Sequence, residues 1–250
     1  MTRRILCSLI LSVAGCAGAG ELPSAETLMD RYVEVTGGKA AWEKVKTQTI
    51  KGSIEFAGQG VKGTMETWLS AGEQSRVTMT LDGIGLIESG TTGGTAWSNS
   101  AMQGPRILDG EERNLAIRNA RVDRVPRWRE IYKEVKTEAE EEVNGKPALR
   151  VSVVPSTGGK PELVWFDKES NLIARARLVT TSPMGEVSVE STFSDYREVS
   201  GVKVPFAFDQ KVGPQVIKIM LSSVQINPEV AADRFILPEP VKALQKPAAE

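Results

Sequence analysis

The spacing of apolar residues changes several times along the chain. Over 24–38 it is helical: Ser24 stands at the N-cap, with Thr27 where a capping-box Glu would sit. Leu28, Tyr32 and Val35 follow on one side, and Gly37-Gly38 end the segment. A second short helix over 39–45 carries Trp42. The period then falls to two. In IKGSIEF, Ile50, Gly52, Ile54 and Phe56 share one face, while Lys51, Ser53 and Glu55 share the other. Val61, Gly63, Met65 and Leu69 face one way in the next run, and Val77, Met79 and Leu81 stand together in RVTMTL. GIGLIESG and GGTAWSNS continue the series. Short alternating runs with glycine turns between them predict an antiparallel meander.

From Asp109 to Val125 the pattern is helical again, with Leu115, Ala116, Ala120 and Val122 as a partial apolar stripe and Pro126 as the breaker. RWREIYKEV reads as a short helical or extended piece, and Glu138–Glu142 as a solvated acidic surface. Strands return in ALRVSVVP, in ELVWFDKESNLIARARLV and in GEVSVESTFSDYREVSGVKVPFAFDQKV, with turns at Lys168–Asn171 and Ser200-Gly201. QVIKIMLSSVQIN is a late strand. Phe235 plugs a docked turn, and 241–250 reads as a loose tail.

The first residues are of another kind. Arg3 and Arg4 precede the apolar run Ile5–Val13, the pattern of an export signal and too short to span a bilayer. SVAGCAGAG follows. Val13-Ala14-Gly15-Cys16 resembles the lipobox of bacterial lipoproteins, which implies a signal over 1–15 and acylation of Cys16. Cleavage after the A-x-A site at Ala17-Gly18-Ala19 is the alternative, giving a signal over 1–19. On the first reading 16–23 is a tether and 24–240 one domain. The protein is expected on the periplasmic side of the outer membrane as a lipoprotein, held by its anchor; on the second it is secreted or soluble in the periplasm.

Composition narrows the chemistry. The chain has no histidine and two cysteines, Cys7 and Cys16, both in or next to the signal. That removes the usual general base, Ser-His-Asp and Cys-His devices, most zinc sites and any disulfide in the folded domain. Of 31 basic residues, removal of Arg3 and Arg4 leaves 29 against 32 acidic ones, too balanced for a nucleic-acid footprint. No P-loop, Rossmann fingerprint, G-x-S-x-G or EF-hand loop is present. Asp82, Glu88, Asp195 and Tyr196 are the groups an enzyme could use, and nothing in their spacing joins them. The expectation is therefore a protein that is not an enzyme, with no catalytic residue, metal or cofactor.

WFDKESNLIARARL (165–178), DYREVSGVKVPFAF (195–208) and INPEVAADRFILPEP (226–240) resemble the corresponding pieces of the periplasmic lipoprotein-carrier family and its outer-membrane relatives, the LolA/LolB-like group. The likeness covers roughly residues 24–240. It implies an α+β fold: an open antiparallel β-barrel, or half-barrel, with helices covering the concave face. It also implies an apolar cavity for a lipid or for the acyl chain of a lipoprotein, and a place in outer-membrane lipoprotein sorting. A soluble carrier would carry no anchor, so the lipobox points to the lipidated, receptor-like branch or to an unassigned cousin. An anchored scaffold with a filled core and no ligand is the alternative.

On this reading the cavity candidates are Ile54, Phe56, Met65, Val77, Met79, Leu81 and Trp97. Methionines there adapt to varied apolar partners, and they pack ordinary cores equally well. Arg118, Arg121 and Arg124 recur every three residues and are read as one helix face forming a basic rim on a lid. The competing reading pairs those arginines with neighbours such as Asp123 and Glu130 on a solvated face.

Overall fold

The computed structural model describes residues 21–182 and 185–245. The signal, Cys16 and most of the tether lie outside the described residues. Helix α1 (Ala25–Val35) begins where the Ser24 hydroxyl accepts the Thr27 N–H at 3.2 Å, as its N-cap position predicts. Short α2 (Lys39–Trp42) follows. Six strands then run up and down: β1 (Thr47–Phe56), β2 (Val61–Ser70), β3 (Gln74–Leu81), β4 (Gly85–Thr92), β5 (Thr95–Ser100) and β6 (Gly104–Leu108). A link of α3 (Gly110–Ala120) and α4 (Trp128–Ile131) leads to seven more. These are β7 (Tyr132–Val143), β8 (Lys146–Pro155), β9 (Glu162–Asp167), β10 (Ile173–Ser182), β11 (Gly185–Val199), β12 (Val202–Val212) and β13 (Gln215–Ile226). A 3-10 turn (Ala232–Phe235) and α5 (Glu239–Lys242) close the described chain.

All 13 strands form one antiparallel sheet in the order β6-β5-β4-β3-β2-β1-β13-β12-β11-β10-β9-β8-β7. The two meanders meet where β1 pairs with β13, and β6 and β7 remain as edges. This is the expected open half-barrel of α+β class. Turn chemistry fixes the register: Asn144-Gly145 and Ser200-Gly201 have positive φ at both residues (53° and 78°, 51° and 83°), the twist that two-residue hairpins need.

The pairing register assigns the faces. Phe56 lies opposite Ile217, Ile217 opposite Gln210, Gln210 opposite Ser191, Ser191 opposite Ala176 and Ala176 opposite Val164. The face of Ile54 and Phe56 is thus the face of Val164, Val151 and Leu149, and it is the inner one. Helix α1 packs there, where Leu28, Met29 and Val33 meet Leu149, Val151, Val153, Phe166 and Trp128. Next to this cluster, Trp42, Val45, Val122, Leu69 and Val202 form a second one. Its Trp42 Nε1 donates to Thr36 Oγ1 at 3.2 Å.

The solvated acidic run 138–142 lies in edge strand β7, with Glu138, Glu140 and Glu142 exposed. Charge along an edge discourages further strand pairing. Two expectations are corrected. The helix expected to reach Val125 ends at Ala120, with Arg121 already extended at ψ 115°. The loose tail is not loose throughout. Val241 is fully buried in α5, which packs on β5 and β6, and Phe235 is the plug it was expected to be. Residues 246–250 lie outside the described ones.

Candidate functional site

At one end of the inner face, no helix among the described residues joins the apolar cluster. Ile54, Leu81 and Ile219 form the bottom of an apolar trough, and Phe56, Val61, Met65, Met79, Ile87, Phe208, Ile217 and Leu221 pack against them from the strands. Ile84, from the β3–β4 turn, completes the group, and none of these residues belongs to a helix. The three at the bottom are 3–6 % exposed, and the others are half-buried. Alternation keeps charge out of the trough. Lys51, Glu55, Lys62 and Glu66 point outward, where Lys51 pairs with Glu66 at 3.0 Å and Lys62 with Glu55 at 3.6 Å.

Two glycines shape the trough. Gly52 lies opposite Met65, and Gly63 lies opposite both Ile54 and Leu81. A Cβ on Gly63 would run into the Thr80 carbonyl and come within 2.9 Å of Leu81 Cδ2. On Gly52 it would come within 2.6 Å of the Met220 carbonyl oxygen. The backbones approach this closely because neither residue has a side chain, as at the bends of closely coiled sheets.

Of the cavity candidates, Ile54, Phe56, Met65, Met79 and Leu81 come together in the trough. Val77 shares their face, opposite Thr67 and Ser89, but stands outside the cluster. Trp97 does not join them. It lies opposite Gly90, which is opposite Arg76, which is opposite Trp68, and these are positions of the outer face. There the 232–242 segment covers it. Arg76 approaches the Trp97 ring at 5.7 Å, pairs with Glu88 at 2.6 Å and donates to the carbonyls of Arg234 and Ile236. Sequence reasoning missed Phe208, Ile217, Ile219 and Leu221. Their alternation was legible in PFAFDQKV and QVIKIMLSSV, but the pairing of β13 with β1 was not.

Two of the three arginines in the row form ion pairs. Arg118 pairs with Glu162 and lies 5.8 Å over the Tyr132 ring. Burial raises the Glu162 carboxyl above the usual value even against Arg118, and it pushes the Tyr132 hydroxyl up to about 12. Arg121 meets Asp123 and Glu130, both at 3.1 Å. Arg124, in the turn after the helix, is exposed and donates to the Asn119 carbonyl at 3.2 Å. The three therefore share neither a helix nor a rim. The acid–base candidates are dispersed as well. Asp82 is exposed in the β3–β4 turn, Glu88 pairs with Arg76 on the outer face, Asp195 pairs with Arg197 at 2.6 Å, and the half-buried Tyr196 donates to the Ile173 carbonyl at 2.9 Å.

Helix α3 lies over the inner face, and polar contacts hold it there. Arg113 donates twice to the Gly94 carbonyl, Asn114 donates to that of Thr157 at 3.1 Å, Glu112 pairs with Arg106 at 2.7 Å, and Glu111 accepts from Thr181 at 3.1 Å. Of the helix's own residues only Ala120 is buried.

No protein-family model and no curated protein matches the chain. Solved structures do. A DUF1329 family protein from Desulfovibrio piger superposes with a TM-score of 0.56 at 14 % identity, over 88 % of this chain and 99 % of that one. A LolA superfamily protein from Nitrosomonas europaea gives 0.57 at 12 % identity, over 86 % and 99 %. A putative outer membrane lipoprotein-sorting protein domain from Vibrio parahaemolyticus gives 0.54 at 12 % identity, over 84 % and 97 %. The open sheet with its inward-lying helices is thus the fold of LolA-superfamily and lipoprotein-sorting domains, as the three sequence phrases implied.

Proposed function

We propose that the protein is a cell-envelope lipoprotein that binds an acyl chain in the trough around Ile54, Leu81 and Ile219, without covalent chemistry. The observation that carries this reading is an apolar surface built from six strands, free of charge and, among the described residues, not joined by any helix. Covering a few hundred Å² of acyl chain at roughly 25 cal/mol per Å² amounts to several kcal/mol before ordering costs. The shared fold with lipoprotein-sorting domains supports the same class of ligand. A role in outer-membrane lipoprotein sorting, with Cys16 as the site of the anchor, is the finer form of the proposal. One observation favours the anchored scaffold instead: Ile54, Leu81 and Ile219 are already nearly covered by their own neighbours.

The test is solvent extraction of the purified Cys16→Ala chain, so that no anchor acyl group enters the extract, followed by mass spectrometry. An acyl lipid near one per chain is expected. A clean extract, together with failure to take up a fluorescent fatty acid, contradicts the proposal and leaves the scaffold.

A further inference from the structure

A pocket of about 280 Å³ lies away from the trough, between α3, α4, the β2–β3 turn and the β8–β9 turn. None of its lining residues belongs to the trough. Among them are three arginines and two glutamates, and their pairing is uneven. Arg118 is satisfied by Glu162, and Arg121 by Asp123 and Glu130. Arg113 and Glu73 are left. Among the described residues neither makes an ion pair, with each other or with any other group.

The Arg113 guanidinium and the Glu73 backbone are nevertheless held in place. Arg113 is fixed by its Nε and Nη2 on the Gly94 carbonyl, at 3.2 and 2.9 Å, which leaves Nη1 and its two N–H groups unused. Glu73 has φ 61°, a left-handed conformation that favours glycine, and its carbonyl accepts from the buried Thr91 hydroxyl. Ile117 and Ile131 add apolar lining to the pocket.

We propose that this pocket takes a small zwitterion, with its acid group on Arg113, its ammonium on Glu73 and its carbon stem against Ile117 and Ile131. Opposite charges that line one pocket without neutralising each other fit a ligand carrying both signs better than a simple anion, which Glu73 would repel, or a simple cation, which Arg113 would repel. The ligand chemistry is an ammonium joined by a few bonds to a phosphate or carboxylate. A phosphoethanolamine headgroup and a free amino acid both have it.

Calorimetric titration of the full chain in neutral detergent tests this, with O-phosphoethanolamine, L-alanine and dihexanoyl phosphatidylethanolamine as probes and inorganic phosphate and ethylammonium as controls. At least one zwitterion is expected to bind roughly tenfold or more tightly than either control. Arg113→Gln and Glu73→Gly are each expected to weaken it by about the same factor. Glu73→Gly suits the backbone at that position, so it is expected to keep or raise the thermal midpoint. The probe whose binding Arg113→Gln and Glu73→Gly weaken most identifies the source: the phosphatidylethanolamine assigns the site to a lipid headgroup, and L-alanine assigns it to an amino acid. Failure of every zwitterion to bind, equal affinity for phosphate alone, or binding unaffected by Glu73→Gly overturns the proposal. Since the two sites share no residue, each can fail without the other.

Discussion

Gly63 of β2 stands directly opposite Leu81 of β3, and a side chain on the glycine would meet both Leu81 Cδ2 and the backbone of Thr80. The bottom of the trough therefore depends on an absent Cβ. Gly63→Ala should lower stability by about 1–3 kcal/mol, because the strand backbone must move to admit the methyl group. Urea denaturation measures this. A loss within about 0.5 kcal/mol, the range of ordinary surface substitutions, would show that the strands give way freely there.

Phe235 tests the opposite face. It is buried at 5 % exposure on the outer side of the sheet, in the turn that contacts β3 and β4. Phe235→Ala should cost about 3 kcal/mol and shift tryptophan fluorescence to the red as Trp97 gains water. Acyl binding by the folded fraction should not change. Loss of binding at full folding would connect the two faces and contradict their separation.

Asp30 joins α1 to α4. It accepts from Trp128 Nε1 at 3.1 Å and pairs with Arg129 at 2.8 Å. The hydrogen bond from Arg129 is the main cause that holds its carboxyl below the usual aspartate value. A depressed acid stabilises the fold above its ordinary pKa and loses that contribution as pH falls through the depressed one. Because the pair is largely exposed, Asp30→Asn should cost no more than about 1 kcal/mol at neutral pH. Denaturation measured down the acid range should show the difference between wild type and variant closing there.

Glu162 has the opposite sign. Burial raises it, so its ionised form is the costly one even beside Arg118. Its contribution is fully present below the ordinary glutamate pKa and is lost as pH rises through the raised folded value. Glu162→Gln should flatten that part of the stability profile. Arg118→Met should cost about 3 kcal/mol at neutral pH by leaving the carboxylate without its partner, and adding Glu162→Leu should recover most of it. A double variant no more stable than the single one would show that the pair was not what held α3.

Local patterning made much of this legible, and long-range pairing did not. Ile50, Gly52, Ile54 and Phe56 reveal their common face because a strand has period two. Nothing local places Trp97 against them or apart from them. Its face depends on the register across the β4–β5 turn, which puts it opposite Gly90. β13 is separated from β1 by most of the chain, so the share of the trough that β12 and β13 supply escaped notice. The acidic residues of β7 resembled solvated surface because an edge strand is one. The arginines kept their spacing but not their helix, which ends at Ala120 before the second of them.

Met79 and Met220 offer the most direct test of acyl binding in the trough. The first lies in the trough on β3, and the second is 53 % exposed on the outer side of β13. The same substitution to Glu at each places one charge on one face or the other. The measurement is titration of a fluorescent fatty acid into the Cys16→Ala chain and its Met79→Glu and Met220→Glu variants, with folding checked by circular dichroism. Met79→Glu should weaken binding tenfold or more, since a charge would have to be buried against the chain, while Met220→Glu should leave it unchanged. Equal effects from the two, or none from Met79→Glu, would place the acyl chain elsewhere and contradict the proposed site.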